Sequence, residues 1–97
     1  MKQVYTTKAA EISYYEITDY LLDNWGYTEY EKLESQVLKI IQAIEHNPEM
    51  YPIADKHRNV RKAILLNVIS MYYRILEDRI EVLLFWHNSR NPSSLKL

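Results

Sequence analysis

Apolar residues recur at helical spacing twice in the first half of the chain, and the second half switches to alternation. Ala10, Tyr14, Ile17, Leu21 and Trp25 form one stripe and predict a helix from about Lys8 to Trp25. Gly26 follows directly, and a glycine tolerates the left-handed conformation that stops a helix. Thr28 with Glu31 reads as a capping box that opens a second helix. Tyr30, Leu33, Val37, Ile40, Ile41 and Ile44 make its buried stripe, and Asn47-Pro48 ends it because a residue before proline avoids helical angles. A link of about three residues makes the two helices antiparallel. Lys2 to Tyr5 reads as a short first strand, and Glu49 to Asn59, with Pro52 inside, reads as a loop.

Strand signals follow at Val60–Leu66, Val68–Leu76 and Ile80–His87, with Asn67 and Glu77-Asp78-Arg79 as turns. Strict alternation puts Ile69, Met71, Tyr73 and Ile75 on one face, and Ser70, Tyr72 and Arg74 on the other. In the last strand it assigns Ile80, Val82, Leu84 and Trp86 to the core, and Glu81, Leu83, Phe85 and His87 to the opposite face. That second face is apolar for a wet surface, so a covering partner is expected. The fold class is α+β: an N-terminal strand, an antiparallel helical hairpin, then a three-stranded antiparallel meander, with the helices on one face of the sheet.

Composition narrows the class. Ninety-seven residues make one domain, 1–97. The chain has no cysteine, which removes disulfides, thiol catalysis and zinc-thiolate sites. The N-terminus lacks an apolar signal core and no run is long enough to span a bilayer, so a soluble cytoplasmic protein is expected, with no membrane contact. The net charge of −1 does not favour a general nucleic-acid binder. The charge is unevenly spread, however. Lys56, His57, Arg58, Arg61 and Lys62 stand together without an acid, while residues 11–34 are rich in Asp and Glu. Nine tyrosines suit half-exposed, contact-making surfaces. No metal-ligand spacing, phosphate-cradling glycine loop or Ser/His/Asp motif is present, so no metal or cofactor is implied.

Several features stand in a fixed order along the chain. They are an acidic first helix ending at Asp23-Asn24-Trp25, a second helix ending at Asn47-Pro48, and a strand opening Val60-Arg61-Lys62. The tyrosine-rich strand Met71-Tyr72-Tyr73-Arg74-Ile75 follows, and an apolar strand ends at His87 with Arg90, Asn91 and Pro92 beyond. Together these features resemble the RelE/ParE superfamily of toxins from bacterial type II toxin–antitoxin systems, and the resemblance implies a cognate antitoxin whose disordered segment folds over the helices and the sheet. Tyr14/Tyr15 and Tyr72/Tyr73 would each turn one ring outward as anchors for it. It implies two activities. A ParE-like toxin binds and inhibits DNA gyrase without catalysis. A RelE-like toxin cuts mRNA on the ribosome, for which Arg61, Arg74 and His87 would be the catalytic set if their side chains converge. An inactive relative that keeps only antitoxin binding is the third reading. No tyrosine follows Phe85 and the chain is slightly acidic, which favours the non-catalytic readings.

Arg58, Arg61, Lys62, Tyr72 and Arg90 are the residues expected to contact a target or partner. Each has a simpler role to set beside that one. Arg61 would bridge to an acid of the helices, Arg74 would pair with Glu81 or Asp78, and His87 would be an ordinary surface residue. His46 suits a helix C-terminus, where a cation meets the dipole, and His57 a solvated loop. Trp25 and Trp86, both on apolar stripes, are expected in the core.

Overall fold

The computed structural model describes residues 1–90 and 92–97, so the expected role of Asn91 lies outside the described residues. The chain runs β1 (Gln3–Thr6), α1 (Lys8–Asn24), α2 (Tyr27–His46), β2 (Ile53–Asp55), β3 (Val60–Leu65), β4 (Ile69–Ile75) and β5 (Arg79–His87), and then a 3-10 turn over Pro92–Ser94. The α+β class is as expected. The sheet has five strands in the order β1-β5-β4-β3-β2, with β1 parallel to β5 and the other pairs antiparallel. β2 was expected to be loop. Three residues just after Pro52 are too short for a periodic signal, yet they pair with β3 and extend the sheet.

The helical hairpin starts differently from the capping-box reading. α2 begins at Tyr27 with Gly26 as its N-cap, and no side chain caps it. Gly26 sits at φ +98°, ψ −177°, a region open essentially to glycine alone. Its N–H still closes on the Leu21 carbonyl of α1 at 2.8 Å. One glycine thus ends the first helix and starts the second, leaving no room for Thr28 to act as a cap. The β3–β4 hairpin turns at Leu66-Asn67, both at positive φ (50° and 64°), as a tight two-residue loop requires. Gln36 of α2 holds this turn by accepting the Leu66 N–H at 2.8 Å.

The core lies between the hairpin and one face of the sheet. Ala10, Ile17, Leu21, Leu33, Ile40 and Ile44 of the helices meet Ala63, Leu65, Met71, Tyr73, Val82 and Phe85. Phe85 was expected on the other face, and Leu84 and Trp86 in this core. The reason is a bulge. Tyr73 pairs with Val82 but Tyr72 with Leu84, so Leu83 is an extra residue and every later side chain changes face. Helix α1 completes the hydrogen bonding there. Thr7 caps it through the Ala10 N–H at 3.1 Å, and its hydroxyl also donates to the Leu83 carbonyl at 3.2 Å. The Phe85 N–H is accepted by Ser13 Oγ at 2.9 Å.

The outer sheet face has its own cluster. Val60, Tyr72 and Trp86 are buried with Leu83, Leu84, Leu95 and Leu97 around them. The expected cover on this face is therefore supplied in part by the chain's own last residues.

Candidate functional site

Arg61 lies on the helix-facing side of β3, opposite Tyr73 in register. Its guanidinium donates to the carbonyls of Glu49 and Tyr51, both at 2.8 Å, and its side chain is only 14% exposed. Arg74 is on the other face, opposite Val60 on one side and Glu81 on the other. Its two expected acid partners, Asp78 and Glu81, are both taken by Arg79 at 3.2 Å. Arg74 has no ion pair among the described residues. His87 is opposite Ile69, at the far end of β4 from Arg74. Five residues of strand separate those positions, about 17 Å at the usual rise. The His87 ring meets Tyr20 edge-on at 5.7 Å, and its Nδ1 lies 2.7 Å from Ser89 Oγ. Arg61, Arg74 and His87 therefore do not converge on one point.

The other named residues gather better. Lys62 and Tyr72 are cross-strand partners on the outer face, with Arg74 one pleat further along it. Arg90 lies over the Trp86 ring at 4.5 Å, a cation–π contact at the margin of the same face. Arg58 donates to the Leu97 carbonyl and so ties down the segment that covers Trp86. Tyr72, expected to turn outward as a free anchor, does face out but is only 7% exposed beneath that segment. Its neighbour Tyr73 is wholly buried, and its hydroxyl donates to the Pro48 carbonyl at 2.6 Å. Burial pushes the Tyr73 phenol up to about 12, against the opposing pull of Arg61.

The opposite side of the molecule has a different character. A groove of about 720 Å³ opens between α1 and α2, with Phe85 and Val82 of the sheet beneath it. Tyr14 packs on Phe85 there at 5.0 Å between ring centroids. Its phenol is pushed up to about 12 by burial and then by the Glu34 carboxylate. Glu34 also accepts a hydrogen bond from Tyr30, which raises that phenol's pKa. Tyr15 and Leu38, also lining the groove, are exposed. Tyr14 and Tyr15 thus divide as expected, one ring in and one out. Trp25, expected in the core, is 67% exposed at the hairpin tip. The helix ends at Asn24, and Trp25 follows as its C-cap rather than as another turn of the stripe. Sequence reasoning did not single out Glu11, Glu34 or Leu38. The acid-rich run over residues 11–34 was the available signal, but only the folded hairpin shows which acids share a groove.

A family model described as the ParE toxin of the type II toxin–antitoxin system parDE matches residues 4–92. A solved structure of the chromosomal ParDE toxin–antitoxin system from P. aeruginosa superimposes with a TM-score of 0.72. It is 16% identical and covers 90% of this chain and 96% of that one, so it shows a shared fold. A conserved hypothetical protein from Helicobacter pylori is also similar, at TM-score 0.49 and 13% identity, with coverage of 93% and 98%. A comparison with the curated proteins gives no match. With nearly the whole chain matched by the family model, this chain belongs to the ParE toxin family of type II toxin–antitoxin systems.

Proposed function

We propose that the protein is held inactive by a cognate antitoxin and acts, when free, by binding DNA gyrase rather than by cutting mRNA on the ribosome. The observation that carries this reading is the dispersal of Arg61, Arg74 and His87. Cleavage through attack of a 2′-hydroxyl needs a base, an acid and a charge stabiliser around one phosphate. Here one cation is bound to loop carbonyls on the helix side, one is on the outer face, and the imidazole is at the other end of the sheet. Binding asks only for a surface. Lys62 and Arg74 beside the Tyr72–Trp86 cluster, with Arg58 and Arg90 at its margins, make the outer face the target-contacting surface in this reading. Arg61 serves it indirectly, by fixing the chain that leads into β2.

The test is a gyrase supercoiling assay run beside a coupled translation reaction whose mRNA is mapped for cuts. Inhibited supercoiling with intact mRNA is the expected result. Lys62→Glu with Arg74→Glu should relieve the inhibition and leave antitoxin binding in place, and His87→Ala should change neither. Codon-positioned cuts that disappear with His87→Ala would overturn the reading.

A further inference from the structure

The outer sheet face is occupied by the chain itself. Leu95 and Leu97 pack against Val60, Tyr72 and Trp86 there, and Tyr72 and Trp86 are each only 7% exposed. Arg58, in the turn between β2 and β3, donates to the Leu97 carbonyl and so fastens the segment at its far end. A target that contacts Tyr72 and Trp86 must therefore move residues 93–97 first.

The segment answers the apolar part of this face and leaves the charged part unanswered. Lys62 is opposite Tyr72 in register and Arg74 is opposite Val60, so both cations stand beside the covered side chains. Neither they nor Arg58 nor Arg90 has an ion pair among the described residues. Glu81, opposite Arg74 in the next strand, is held by Arg79 at 3.2 Å. The segment reads Ser93-Ser94-Leu95-Lys96-Leu97, with no acidic side chain and one more lysine. Its hold is slight, because both leucines are half-buried and the ordering of five residues opposes their contact. An occupant with apolar side chains and carboxylates would cover the same cluster and neutralise the cations as well. With nothing bound, an open face would show Val60, Tyr72 and Trp86 to water, so the segment closes on it.

We propose that residues 93–97 are a displaceable cover, closed over the outer face in the free protein and expelled by a target surface that brings apolar and acidic side chains together. The proposal rests on the reading of that face as the target-contacting surface and adds its regulation. Closure lowers the apparent affinity for the target in proportion to the fraction of molecules that are open, so loosening the cover strengthens binding.

The experiment compares the full chain with its Leu95→Ser/Leu97→Ser variant, each also carrying Trp25→Phe so that Trp86 is the one tryptophan left. Both leucines lie at the margin of the smaller cluster, so the variant keeps its fold, which urea unfolding checks. Acrylamide quenching of Trp86 fluorescence should rise at least twofold in the variant. Arg58→Ala, which leaves the leucines in place, should raise it in the same direction. Affinity for immobilised gyrase should rise at least threefold in the leucine variant, mainly through faster association, and supercoiling should be inhibited at a lower concentration. Equal quenching in all three proteins would overturn the proposal, and so would gyrase binding that is unchanged or weaker in the folded variant. Both results leave the target reading intact as long as the chain with native leucines still inhibits gyrase. Loss of cooperative unfolding in the leucine variant would also overturn the proposal, by making the segment a fixed part of the fold. Failure of the chain with native leucines to bind gyrase would overturn the target reading and the proposal together.

Discussion

Arg61→Ala should unfold the protein at a much lower temperature rather than remove a functional group. The side chain reaches from β3 to the segment after α2 and donates to the Glu49 and Tyr51 carbonyls at 2.8 Å each. That segment is also held by Tyr73 donating to the Pro48 carbonyl, by the Lys62 N–H on the Pro52 carbonyl at 3.0 Å, and by the Tyr51 ring edge-on to Tyr73 at 6.4 Å. The Tyr51 bond is partly buried, and a hydrogen bond to a charged group in such a place contributes about 1.5–3 kcal/mol. The Glu49 bond is exposed, and water can replace most of it, so it contributes about 1 kcal/mol or less. The Glu49 carboxylate is 3.9 Å away and largely exposed, so its ion pair contributes almost nothing. The sum is about 2–4 kcal/mol, which for a domain of this size lowers Tm by roughly 10–25 °C. Arg61→Lys should recover part of it, since both bonds come from the one Nη1 and an ammonium has protons enough for both carbonyls, but it sits on a shorter stem.

The assay is thermal and urea unfolding followed by far-UV circular dichroism, with antitoxin binding measured well below the variant's midpoint. The urea midpoint should fall at constant slope, and the cold, folded variant should bind antitoxin as the wild type does. A variant with Tm within about 2 °C of wild type that has nonetheless lost inhibition of its target would refute the structural role and make Arg61 a contact residue.

Three further outcomes follow from the same structure. Deleting Leu83 should leave a folded protein, because Tyr72↔Leu84 and Met71↔Phe85 can pair unchanged once the bulge is gone, whereas deleting Met71 reverses the facing of half of β4 and should abolish the cooperative transition; equal damage from the two deletions would contradict the bulge account. Gly26→Ala should cost about 1–3 kcal/mol through backbone strain alone, since an added Cβ would meet nothing within 4 Å, and D-alanine introduced by chemical synthesis should restore the loss. Tyr73 and Tyr14 hold their protons up to about 12 in the folded protein, above the ordinary value of 10.0, so their contribution to stability should be fully present below about pH 10 and be lost as pH rises towards 12; Tyr73→Phe should lessen that fall in urea titrations.

The parts legible in the sequence were those set by a repeating local rule. The 3.6-residue stripes located both helices to within a residue or two, and alternation found β3, β4 and β5. What stayed hidden depends on a single residue or a distant partner. Leu83 looks like any other strand leucine, yet as a bulge it moves Phe85 into the main core and Trp86 out of it. Thr28 and Glu31 have the right spacing for a cap, but Gly26 had already capped the helix two residues earlier. β2 exists because β3 offers it an edge, which no pattern within three residues can announce. The site followed the same division. Arg61, Arg74 and His87 are close enough in type and order to suggest a catalytic set, but strand parity sends the first two to opposite faces and register separates the third.

Strand parity also explains how a chain of net charge −1 presents two unlike surfaces. A sheet covered by helices on one side sorts its alternate residues, so Arg61 goes to the helix side while Lys62 and Arg74 go out. The hairpin bears Glu11, Glu16, Asp19, Asp23, Glu31 and Glu34, with Lys8, Lys32 and Lys39 among them, on its exposed positions, across the sheet from those outward cations. Bulk charge averages the two to nearly zero and so says nothing about either. In the proposed reading the separation matters, because an acidic target surface is drawn to the sheet. Charge reversal at Lys62 and Arg74 tests this separation directly. It should reduce target inhibition without weakening antitoxin binding. If both are lost together in a variant that still unfolds cooperatively, the two surfaces are one and the sorting argument fails.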